Sequence, residues 1–292
     1  MSTVVEKEQS LGDQVWDLAM TYASRVNAGA HATTCRDQTQ SKERYFGYIT
    51  AMYPIVVGFN RCLIRSMAKI DHVRNTKMIR YLADQLKEEQ GHNSLWRTMM
   101  ETYELDHEKL YSNLENYLAQ FTNEQLNEMT ANYVKAARED VSNVSPGAFP
   151  NPVVPEPVLA LYHLLYQSST DPDIHYWVHF TSQSVVEFII FEVVSESVYP
   201  GIKGREDLDF GPRTLTWWKE HARQGSENGK RSDEEKHLEM AKIALNRSEE
   251  AQGMADQIIE RAEDAMRLFA GTAFCNDPDK AAFDVTPYLK SA

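Results

Sequence analysis

Cysteine is scarce. Cys35, Cys62 and Cys275 stand far apart without paired spacing, which leaves no material for a disulfide framework or a cysteine zinc site and fits a reducing cytoplasm. Basic charge is short as well: 30 Lys and Arg stand against 43 Asp and Glu, a net charge of −13. Nucleic acid and an anionic membrane surface both require a basic face, so neither is an expected partner, whereas a small cationic or neutral molecule is easily accommodated. Long apolar runs are missing too. The most apolar stretch, YITAMYPIVVGFNRCLIRSM, is interrupted by Pro54, Gly58, Asn60 and Arg61, leaves too short a span for a bilayer, and reads as a core helix. The N-terminal MSTVVEKEQSLGDQVWDLAM has no basic flank followed by an apolar core, so no export is expected and the cytoplasm is the expected compartment.

Strand-like alternation is almost absent, and helical periodicity takes its place. It predicts helices over about Leu11 to Ala28, Lys42 to Lys69, Asn75 to Tyr103, His107 to Phe121 and Asn123 to Asp140, the last opened by a capping box of Thr122 and Gln125. The proline-rich SNVSPGAFPNPVVPEPV, residues 142–158, forbids a regular helix and reads as a crossover within a single domain spanning residues 1–292. Helices then resume over about Pro157 to Tyr166, Pro172 to Tyr199, Arg213 to Gln224 and Asp233 to Thr272.

Within this pattern, LKEEQGHNSLW puts charge where core residues belong. Met78, Leu82, Gln85, Leu86, Trp96, Met100 and Tyr103 form the apolar stripe; Glu89 falls inside it, His92 about 60° around and Glu88 about 100° off, at the solvent edge. Residues three apart share a helix face, so Glu89 and His92 have metal-ligand spacing, although a surface glutamate beside a hydrogen-bonded core histidine would leave the same trace. Glu187 sits amid a second stripe of Tyr176, Phe180, Gln183, Phe191, Val194 and Val198, where a lone carboxylate must be paired, protonated or bound to a cation. His179 and Gln183 stack before it, while Glu192 and Glu196 point to the opposite side and read as solvated charges. A second Glu-x-x-His occurs in RSDEEKHLEMAKIAL, with Glu234 on the stripe of Leu238, Ala241 and Leu245 and His237 about 60° around. Ser232 and Glu235 make a capping box that starts this helix near Asp233, an alternative carboxylate whose other role is to stabilise the helix N-terminus. Two inward Glu-x-x-His pairs and an intervening glutamate form a set that binds two metals between facing helices; carboxylates and imidazoles without thiolate suit iron or manganese, and a zinc hydrolase stays open.

At this point the chain resembles the heme-oxygenase-like diiron oxidases and oxygenases, a superfamily that includes relatives of the pyrroloquinoline quinone synthesis and thiamine salvage proteins. The likeness runs from about Lys42 to Leu245 and is carried by RYFGYITAMYPIVVGFNRCLIRSM, LADQLKEEQGHNSLW, the Glu187 helix, and TWWKEHARQ followed by DEEKH. It implies an all-α, heme-oxygenase-like helical bundle holding two irons per chain with dioxygen as co-substrate, the ligands being Glu89, His92, Glu187, His221, Glu234 and His237 with Asp233 in reserve. The family closes its site with a histidine, an acid four residues later and a second histidine three or four further on. Here His221 matches the first histidine, but position 225 is Gly; read back from His237, the first position is Lys230, a poor ligand while protonated. His221 is preferred, which requires a break between Gln224 and Ser232, because one continuous helix would hold His221 and His237 roughly 24 Å apart. Tyr176, Trp177, Trp217 and Trp218 are the expected walls of the substrate pocket.

The family likeness implies an oxygenase or oxidase with a small-molecule substrate and an external electron donor, and a homodimer is compatible with it. The acidic balance favours a nitrogenous substrate and N-oxygenation of a small amine or amino-heterocycle to a nitro or N-hydroxy product. The alternatives are oxygen-dependent desaturation or C–C cleavage of an amino or fatty acid, and a metal-free enzyme like the quinone-cofactor and thiamine-salvage relatives.

Overall fold

The computed structural model describes residues 9–142, 144, 146–223 and 233–290, and of 233–235 the backbone alone. Among these residues the chain is all α-helical: α1 (Leu11–Ala28), α2 (Ala30–Arg36), α3 (Lys42–Ala68), α4 (Thr76–Thr102), α5 (His107–Leu118), α6 (Asn123–Asp140), α7 (Glu156–Thr170), α8 (Tyr176–Val193), α9 (Tyr199–Ile202), α10 (Pro212–Glu220), α11 (Asp233–Arg247), α12 (Glu249–Gln252) and α13 (Ala255–Cys275). A single π-helical turn, Val194–Val198, joins α8 to α9. Extended pairing among the described residues is limited to one bridge, Leu105 to Leu289.

Local chemistry sets several helix ends. The Ser10 and Ser41 hydroxyls accept from the backbone N–H groups of Asp13 and Arg44 to start α1 and α3, and Thr122 with Gln125 closes a reciprocal capping box on α6. The proline-rich segment joins α6 to α7, pinned where Gly147 and Phe149 donate to the buried Glu156 carboxylate. Lys69, just past α3, donates to the carbonyls of Ser168, Asp171 and Ile174 and so satisfies the end of α7.

The axis of the bundle is α8, every residue of which is buried. It packs against α1, α3, α7, α11 and α13, while α4 packs on both α3 and α10. A helix buried all round has no solvated face, and this overturns one expectation: Glu192 is buried, its carboxylate 2.6 Å from Arg223. Glu196 is exposed and accepts from Asn27. The stretch predicted as one helix from Asp233 to Thr272 is broken twice, by Ser248 capping α12 and by Gly253 ending it. The short α2 follows an extended Gly29 and was not predicted.

Gly201 in α9 lies so close to α2 that a Cβ there would overlap the Cys35 carbonyl. Because the obstacle is backbone, Gly201→Ala should cost about 3 kcal/mol, read as a lower midpoint in urea unfolding. Unchanged stability would mean that α2 and α9 do not meet in this way. No described helix is long and apolar enough to cross a membrane.

Candidate functional site

Three elements converge on one narrow cavity. Helix α4 supplies Glu89, His92 and Trp96, α8 supplies Glu187, and α10 with the residue after it supplies Trp217, Trp218 and His221. The remaining wall is apolar, including Ile55, Val56, Phe59, Ile190, Val193 and Phe269, with Val194 and Val198 added by the π turn. The space open to the centre of a water-sized sphere is about 30 Å³, enough for ions or one or two waters and too little for an organic substrate.

Glu187 is held by amides. Gln85 Nε2 donates to both of its oxygens at 3.2 and 2.9 Å, and Gln183 Nε2 to Oε1 at 2.9 Å. Burial, and then the Glu89 charge, push the Glu187 carboxyl well above the ordinary carboxylate range, and the two amides only partly oppose them. Glu89 is also buried, with Oε1 3.5 Å from His92 Nδ1.

His221 is the C-cap residue of α10. Its Nδ1 lies 2.9 Å from the Trp217 carbonyl, and since a carbonyl only accepts, Nδ1 carries the hydrogen and Nε2 the lone pair. The ring stacks on Trp217 with centroids 3.7 Å apart and meets the His92 ring at 4.2 Å. Burial, then proximity to His92, hold its pKa well below the usual imidazole value, so it is neutral. A backbone acceptor fixing one nitrogen while the other is left with its lone pair is the outer-shell arrangement of a metal-binding histidine. The segment leaving His221 is tied to α8: Arg223 N–H donates to Ser195 Oγ and its guanidinium pairs with Glu192. Trp218 Nε1 donates to Tyr45 Oη at 2.9 Å, which anchors α10 to α3.

Four of the residues singled out by sequence, Glu89, His92, Glu187 and His221, thus surround one cavity. The helix break comes even earlier than the predicted interval, since α10 stops at Glu220 and Ala222 and Arg223 are already non-helical. Lys230, Gly225 and the Ser232 capping box lie outside the described residues, as do the side chains of Asp233 and Glu234. His237 stands apart from the cavity: its Nε2 is 3.0 Å from Glu88 Oε2, and Tyr81 Oη donates to its carbonyl. Glu88 is one residue from Glu89, so His237 sits about 100° around α4 from the cavity. His179 faces Ser66 at 2.6 Å, its pKa pushed down to about 3 by burial and then Lys69, and serves the core. Of the expected walls, Trp217 and Trp218 line the cavity, whereas Tyr176 and Trp177 line a separate surface cleft. Tyr48 and Met52, which sequence reasoning missed, line both the cavity and an outer cleft of about 240 Å³.

Among the described residues no three His, Cys, Asp or Glu side chains already stand as a metal-holding set. The donor chemistry nevertheless fits a hard or borderline cation: two buried carboxylates that repel each other, and two imidazoles, one with its tautomer fixed.

No family model and no curated protein matches the chain. Among solved structures it is similar to a TenA homolog from Pseudomonas syringae pv. tomato, with a TM-score of 0.58 and 16% identity over 94% of this chain and 97% of that chain. At this identity the likeness speaks for architecture alone: the chain has an all-α, heme-oxygenase-like fold.

Proposed function

We propose that the chain is a non-heme diiron oxidase or oxygenase, and that Glu89, His92, Glu187 and His221, joined by Glu234 and His237 from α11, hold its two irons. The observation that carries this reading is the burial of two mutually repelling carboxylates beside two imidazoles in one apolar cavity, an arrangement that a cation relieves. Iron bound there would supply the dioxygen-activating redox chemistry that side chains lack. The protein's share is to hold the ligands and keep water out. The Trp217 carbonyl fixes the His221 ring, Gln85 and Gln183 orient Glu187, and the aliphatic and aromatic wall excludes solvent. Glu234 and His237 lie about one turn apart at the start of α11, and joining the site requires His237 to exchange Glu88 for it.

The wall also bears on the substrate. Apart from the ligands it carries no charged side chain and is rich in aromatic rings, which supports a small molecule with a largely apolar body, cationic or neutral. N-oxygenation of a small amine or amino-heterocycle fits such a wall. Entry requires the wall to move, and Met52, a flexible side chain between the cavity and the outer cleft, is suited to that.

A second reading, a metal-free enzyme on the same fold, is favoured by the pairing of His237 with Glu88 outside the cavity. Oxygen uptake separates the two. Protein loaded anaerobically with ferrous iron and then given dioxygen and a reductant should consume oxygen in proportion to its iron, and Glu89→Ala should abolish the uptake. Uptake no greater than that of the same iron in buffer would reject the diiron reading.

A further inference from the structure

A second cavity, of about 430 Å³, lies between α6, α7, α8 and α13 and shares no lining residue with the first. Val178 lines it and Glu187 lines the other, nine residues apart on α8, roughly 13 Å at 1.5 Å per residue. Its size is that of a small-molecule site.

Its charged groups are unevenly satisfied. Arg138 engages both oxygens of the buried Asp264, through Nε at 2.8 Å and Nη2 at 2.6 Å, and also reaches Glu260 at 2.8 Å. Arg261, on the same face of α13 as Asp264, forms no hydrogen bond or ion pair among the described residues, although Asp264 and Glu260 both attract it. Arg261 is half-buried, its pKa lowered first by burial, which outweighs the pull of Asp264 and Glu260, while Arg138 adds to the fall. A guanidinium offers five donors in a planar fork that matches a carboxylate or phosphate. The same wall carries Lys135, the side-chain amides of Asn127, Gln167 and Gln257, and one further carboxylate, Asp173.

We infer that this cavity is an anion site, taking a small soluble molecule through a carboxylate or phosphate group held by Arg261, with the amides and Lys135 around it. The inference is independent of the iron reading, because no residue is shared between the two cavities.

Calorimetric titration of the full-length protein at low ionic strength, with inorganic phosphate and separately with succinate, tests it against a chloride control. Saturable binding of at least one of them is expected, and the better of the two identifies the group preferred. Arg261→Gln should weaken that binding roughly tenfold or more, the scale of a lost hydrogen bond to a charged group. Lys135→Gln, at an exposed position, should weaken it only a few-fold. Should Arg261→Gln fail to fold, Ala131→Trp, a bulky replacement at a lining position on α6, leaves Arg261 in the sequence and should block binding equally. No saturable binding of either anion, or binding that survives both Arg261→Gln and Ala131→Trp, overturns the proposal.

Discussion

Glu187→Gln should make the iron-free protein more stable at neutral pH and at the same time remove its capacity for iron. In the folded chain burial and the Glu89 charge raise the Glu187 pKa, so the folded state holds this proton more tightly than the unfolded one. The contribution is harmless below the ordinary glutamate pKa of about 4.3 and costs stability progressively as pH rises from there toward the raised native value. The substituted amide has nothing to titrate. It also keeps hydrogen-bonding partners, because Gln85 Oε1 and Gln183 Oε1 are buried without a donor among the described residues, and turning the Gln85 amide over lets its oxygen accept from the new N–H group. A gain of about 1–3 kcal/mol at pH 7 is expected, shrinking toward zero near pH 4, measured by urea unfolding across that range. A variant that is less stable without iron yet binds iron normally would make Glu187 a structural hydrogen-bonding group.

His221→Ala should weaken iron binding by roughly 100-fold or more and end oxygen uptake, whereas Lys230→Ala should leave both nearly unchanged. The grounds are geometric: His221 is neutral, its Nδ1 is occupied by the Trp217 carbonyl, and its ring touches His92. Since the ring also stacks on Trp217, His221→Phe serves as the control, keeping a flat ring while removing the nitrogens. Both His221 variants should lose iron alike. If Lys230→Ala is the damaging change and His221→Ala is silent, the first histidine position of the family pattern belongs to Lys230 and the site is short of a ligand.

Periodicity found most of the helices because most have one apolar face. The bounds of α1 and α6 match the pattern residue for residue, and the side-chain caps on Ser10 and Thr122 explain why. The same periodicity separated Glu89 from Glu88: the first is buried, the second partly exposed and turned toward His237. It failed for Glu192 because α8 is enclosed on every side, so angular position along it carries no information about solvent. It also ran through the breaks after Arg247, although Ser248 and Gly253 are ordinary cap and stop residues that could have been read. The parts of the site that no local pattern reveals are those made by distant elements: Tyr48 and Met52 on the wall, and Ser195 and Glu192 steadying the chain beyond His221.

Anaerobic titration of the metal-free protein with ferrous iron, followed by elemental analysis after desalting, tests the central claim most directly. About two irons per chain should be retained by the wild type, as a dinuclear carboxylate and histidine site requires, and Glu89→Ala and His92→Ala, still folded by circular dichroism, should each lose most of that capacity. A wild-type protein that retains no iron, or variants that retain as much as the wild type, would contradict it and leave the metal-free reading of this fold in its place.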